Sequence, residues 1–132
     1  MKVKTSALTG IALDYAVAKA QGGTNLASDG ITWGFELEGE LKVLAKGWAP
    51  SMSYCPSTNW AQGGPIIERK KITVSWLIPA HQHQNLAGCW SAHIPGGNGK
   101  LLYGLTPLTA AMRCYVASEL GDEVDIPEEL LV

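Results

Sequence analysis

Residues 81–94 read HQHQNLAGCWSAHI and gather all three histidines of the chain with one of its three cysteines. Imidazole nitrogen and thiolate sulfur are common zinc ligands. If 78–83 pairs with 89–94 about a turn at 84–88, His83 falls opposite Cys89 and Ile78 opposite Ile94. Side chains alternate faces along a strand. His81, His83, Cys89 and His93 then share the polar face, a conceivable three-histidine, one-cysteine site and the basis for a small metal-dependent enzyme. The spacing matches no standard zinc motif, and Pro79 interrupts the first strand. The simpler reading is exposed histidines beside a half-buried thiol, with no metal and no cofactor.

A second concentration lies at 54–71, YCPSTNWAQGGPIIERKK. Ser57, Thr58 and Asn59 are of the types that cap helices and close Asx turns. Gly63, Gly64 and Pro65 read as a turn, with backbone angles closed to other residues and then a fixed φ. Trp60 offers a flat apolar face with one donor, Gln62 an amide, and the Gly63 and Gly64 N–H groups a small anion nest. Glu68 and Arg69 add an acid–base pair, and Arg113, further along, a counter-charge for an anionic ligand. Such a set could hold a base or nucleotide-like ligand, by stacking plus hydrogen bonds. The alternative is that Trp60 packs in the core and the polar residues only tie down a long loop. The glycines do not have P-loop spacing, so no phosphate transfer follows. Cys55 before Pro56 could be a reactive thiol only if its surroundings depressed its pKa.

Composition narrows the partners. The 132 residues are 46% apolar and carry a formal net charge of −2. That disfavours a nucleic-acid partner held through phosphates, which calls for a basic surface; Arg69, Lys70 and Lys71 are the one basic cluster on which such a role could rest. The acidic residues from Glu119 to Glu129 read as a solvated end. An odd number of cysteines fits reduced thiols. No apolar run reaches the ~18 residues that span a bilayer, and Asp14 and Lys19 interrupt any signal-peptide core. The expectation is a cytoplasmic protein with no membrane contact.

The elements that must position these residues follow from periodicity. Residues 8–20 repeat apolar side chains at helical spacing (Leu8, Ile11, Tyr15, Ala18), with Thr9 as the expected N-cap and Gly22 and Gly23 at the end. Residues 24–30 read as loop. From 31, Ile31, Trp33, Phe35 and Leu37 alternate with Thr32, Gly34, Glu36 and Glu38, a half-buried strand. Glu38-Gly39-Glu40 turns it into a partner strand through Leu41 and Val43. Residues 46–65 read as a long irregular loop. Residues 71–78 and 88–94 read as strands with Val74, Trp76, Trp90 and Ala92 on shared faces, and 100–103 as a short last strand. Thr106 and Pro107 open a final helix whose buried stripe is Leu108, Ala111, Met112 and Tyr115, closed by Gly121. The expected fold is one α+β domain, an antiparallel sheet of four to five strands with an N-terminal and a C-terminal helix packed on it.

Three blocks, KVKTSALTGIALDYAVAKAQG at 2–22, PSTNWAQGGPIIER at 56–69 and TPLTAAMRCYVASELGDEVDIPEELL at 106–131, resemble the NinX-like family of phage and prophage proteins. The family pattern has an aspartate before the tryptophan, where this chain has Asn59, and 24–50 and 79–99 lie outside the likeness. The resemblance implies provenance rather than chemistry: a small accessory protein acting in a bacterial cytoplasm, with no catalytic residues to carry over. The combined reading favours a non-enzymatic binding protein that uses residues 54–69 to hold a host or phage protein or a small ligand.

Overall fold

The structure, a computed structural model, describes residues 1–28, 33–44, 53–77, 89–97 and 99–131. Among these, the chain runs β1 (Lys2–Lys4), α1 (Gly10–Ala20), β2 (Thr24–Ser28), β3 (Trp33–Leu37), β4 (Glu40–Leu44), α2 (Trp60–Lys70), β5 (Thr73–Leu77), β6 (Cys89–His93), β7 (Leu102–Gly104), α3 (Pro107–Leu120) and β8 (Glu123–Asp125). The α+β class holds. In place of one sheet there are three small antiparallel ones, ordered β1-β8, β2-β3-β4 and β5-β6-β7, and a third helix lies between the two expected.

The centre is α3. Thr106 accepts a hydrogen bond from the Thr109 N–H at 3.1 Å, and Pro107 fills the first turn, where no N–H is needed. Leu108, Ala111, Met112 and Tyr115 are buried, as the stripe requires. The helix packs on β5, β6 and β7 and on α1 and α2. Val74, Ala92 and Leu102 stand in register across that sheet, beneath α3. Gly104 lets the helix approach closely, since a Cβ there would lie 2.6 Å from the Ala110 nitrogen.

α1 begins two residues later than its apolar stripe, because Leu8 and Thr9 are extended and the Thr9 hydroxyl makes no cap bond. Its end is a Schellman motif: Gly22 at φ +89 donates to the Lys19 carbonyl and Gly23 to that of Ala18. The next five residues are a strand, not the loop expected for 24–28. β2 lies at an edge with only Leu26 half-buried, so it shows no alternation and is held by backbone pairing to β3, with an irregularity between Thr24 and Ala27. β3 and β4 join through Glu38 at φ +52 and Gly39 at φ +81, the paired left-handed turn that matches strand twist.

The acidic end is not simply a solvated tail. β8 pairs with β1, Val3 opposite Val124, and Val124, Ile126 and Leu130 are buried. The charges named there point outward from a segment whose alternate side chains close the core.

Candidate functional site: the 53–70 segment

Residues 53–59 are fastened on every side. The Tyr54 N–H donates to the Val43 carbonyl at 2.7 Å, its ring meets Phe35 edge-on, and its hydroxyl bonds the Gln21 side chain. Gln62 reaches back with both ends of its amide: Oε1 accepts from the Cys55 N–H at 2.6 Å and Nε2 donates to the Ser53 carbonyl at 2.8 Å. Asn59 caps α2 by accepting from the Ala61 N–H at 2.9 Å. The remaining tie is a buried carboxylate. Asp14, 5% exposed in the middle of α1, accepts from the Ser57 N–H at 2.9 Å. Burial pushes its pKa up to about 6, and Ser57 offsets part of that rise. The Ser57 hydroxyl lies beside the same carboxyl but forms no well-aligned hydrogen bond and is itself buried. Burial, with Asp14 nearby, also raises the pKa of Tyr54.

From Trp60 onward the segment is helix, which corrects the expected loop over its last six residues, 60–65. Gly63 and Gly64 do not form an anion nest: the Gly63 N–H donates to the Asn59 carbonyl, and Gly64 lies inside the helix. Gly63 is there for contact, since a Cβ would sit 2.5 Å from the Pro56 carbonyl oxygen and 2.6 Å from a Leu108 methyl. Gly64 has open space around it, and nothing in the structure requires glycine there. Pro65 is within the helix, and α2 ends at Lys71 in the left-handed conformation.

The predicted site residues therefore divide by task. Ser57, Asn59, Gln62 and Gly63 are used inward, holding the segment to itself and to the core. Thr58, Trp60, Glu68 and Arg69 are exposed, and Gly64 lies between Trp60 and Glu68 on the outward stripe of α2. Trp60 is 56% exposed, which decides against its being a core residue. In the basic cluster, Lys70 is spent on an ion pair with Glu119 at 2.7 Å and lies over the Tyr115 ring. Arg113 is away from this surface in its bonding: Nε donates to the Leu8 carbonyl at 2.7 Å and Nη1 to that of Tyr103 at 2.6 Å, joining the entry of α1 to β7. Burial lowers its pKa.

The metal hypothesis is corrected in its register. β6 pairs with 73–77, Cys89 opposite Leu77 and His93 opposite Thr73, because the apolar strand β5 takes the place assigned to 78–83. His81 and His83 lie outside the described residues. Among the described ones, no group of three or more potential ligands could hold a metal. Cys89 and Cys114 are buried, Cys55 is half-buried, and burial raises the Cys114 thiol to about 11, away from nucleophilic character.

Sequence reasoning missed Asp14 and Gln21 as the partners of the segment. A single carboxylate inside the run Ala12–Ala18 was the signal for the first; Gln21 carried none. It also missed a groove of about 620 Å³ on the other flank of α2, between the β3–β4 hairpin (Glu38, Leu41) and Tyr54, Gln62 and Pro65.

The family profile described as Bacteriophage P22, NinX matches residues 4–119, which takes in the whole 53–70 segment and all three helices but the last residue of α3. No curated protein matches the chain.

Proposed function

Because the chain belongs to the bacteriophage P22 NinX family, we propose that it is a phage accessory protein that acts by binding a partner protein in the cytoplasm of the infected bacterium, through the outward face of α2. One observation carries this reading: Trp60 is more than half exposed on a segment that the rest of the molecule holds rigid. A solvent-facing tryptophan does little for folding, whereas one on a backbone already held in place leaves only its side chain to order on contact, and tryptophan is among the residue types most enriched where binding energy concentrates. Gly64 and Glu68 follow it on the same side of the helix, about one and two turns on. No helix among the described residues is long and apolar enough to cross a membrane.

The test is affinity capture from phage-infected bacteria with the intact protein and with Trp60→Ala, alongside thermal denaturation of both. The expected result is a defined partner retained by the first and lost by the second, with melting temperatures within about 2 °C of each other, as for a surface substitution. A fall of many degrees would make Trp60 a core residue, since truncating a buried tryptophan costs about 3–5 kcal/mol. Equal capture by both proteins would remove the α2 face from the account.

A further inference from the structure

β4 is, with β2, an outer strand of its sheet. Across the two-residue turn at Glu38 and Gly39, Leu37 stands opposite Glu40. In such a hairpin the residues flanking the turn exchange both backbone hydrogen bonds, and the bonds recur at every second residue. Glu40, Lys42 and Leu44 therefore point their N–H and C=O groups at β3, and Leu41 and Val43 point theirs outward. The Val43 carbonyl fixes the phase, because it accepts from Tyr54 on the side away from β3. The Leu41 N–H, the Leu41 carbonyl and the Val43 N–H face the same way and have no backbone partner among the described residues.

An unpaired strand edge is a template for another strand. This one forms a wall of the groove beside α2, with Tyr54, Gln62 and Pro65 opposite. Tyr54 has already added one backbone bond along the track. The Leu41 side chain, 73% exposed, offers an apolar anchor at the same edge. The charged residues of the groove are Glu38, Glu40 and Lys42, and the Lys42 ammonium is 2.9 Å from Glu40, so the balance is negative.

We propose that this groove takes an extended segment of a partner polypeptide as an added strand on β4, a segment with a lysine or arginine placed to meet Glu38 and Glu40. The proposal rests on the reading of the protein as a binder, but it uses the flank of α2 that carries Gln62 and Pro65 rather than Trp60.

The experiment is an amide-resolved NMR titration of the full chain with two capped heptapeptides, acetyl-KVTVTVK-amide and acetyl-EVTVTVE-amide. The lysine peptide is expected to shift and protect the Leu41 and Val43 amides, and the glutamate peptide to bind about tenfold more weakly or worse. Leu41→Pro removes an outward N–H, which an edge strand tolerates, together with the exposed Leu41 anchor, and is expected to abolish binding while the Lys42 and Leu44 amides stay protected. The double variant Glu38→Lys with Glu40→Lys touches no backbone bond and is expected to reverse the preference, which keeps the test open if Leu41→Pro does not fold. Binding of neither peptide, equal binding of both, or binding that survives Leu41→Pro overturns the proposal. So does protection of Leu41 and Val43 that grows with protein concentration alone, which would make a second copy the occupant. Trp60-dependent capture is read without reference to Leu41, so either reading can fail alone.

Discussion

At the scale of single residues, a carboxylate buried against one backbone N–H is held at a cost, and Asp14 is such a group. Its pKa rises from 3.8 to about 6 on folding. The folded state thus binds the proton more tightly than the unfolded chain, so this group favours folding most below about pH 4. That contribution is lost as pH rises through about 6, and above that the charged form costs about 3 kcal/mol, at about 1.4 kcal/mol per pH unit. Asp14→Asn keeps an acceptor for the Ser57 N–H and adds a donor beside the Ser57 hydroxyl. Thermal melts should show the variant several degrees more stable at pH 8 and without the wild-type slope between pH 4 and 6. The two glycines of α2 give a paired prediction. Gly63→Ala must push against the Pro56 carbonyl and Leu108, and should lose about 1–3 kcal/mol in urea denaturation. Gly64→Ala enters open space in a helix and should gain about 0.5–1 kcal/mol.

At the scale of elements, what was legible was whatever carried its own local signature. α3 showed both caps and its stripe, α1 its stripe and its glycines, and the β3–β4 hairpin its alternation and its Glu-Gly turn. The alternation along β5 and β6 was legible too, but not their pairing, which sets Trp76 opposite Trp90 and Val74 opposite Ala92 in place of the 78–83 register. What was not legible was held by partners distant in sequence. β1 and β8 exist because the two ends of the fold meet, and β2 because β3 offers an edge. α2 was hidden because Gly63, Gly64 and Pro65 have poor helix propensity, while packing against Pro56 and Leu108 and the Asn59 cap outweigh it. Asn59 and Gln62 stood out in the sequence because their side chains do bond backbone groups, and Ser57 is held through its N–H by Asp14, yet their direction, inward to the segment, is a property of the fold. Two measurements bear on this scale. Asn59→Ala should cost about 1 kcal/mol through the lost cap, read from the denaturation midpoint. Ile126→Ala should cost about 2–5 kcal/mol, because the side chain is fully buried where a solvated tail would have left it idle.

At the scale of the whole molecule, helices and strands closed by their own termini leave one helix whose inner side is packed and bonded while its outer side ends in a free tryptophan. Among the described residues, this surface combines a firmly bonded backbone with an exposed tryptophan. Trp76, also partly exposed, rests against Trp90 on the sheet, whereas no ring contact is found for Trp60 among the described residues. The chain belongs to a phage protein family, and the partner surface proposed for it is the α2 face. The measurement that tests this most directly is photo-crosslinking in phage-infected bacteria, with benzoylphenylalanine substituted at Trp60 and, in a separate protein, at the exposed Ser75 of β5. The account predicts a discrete crosslinked product from position 60 and none of the same mass from position 75. No product from position 60, or the same products from both, would contradict it.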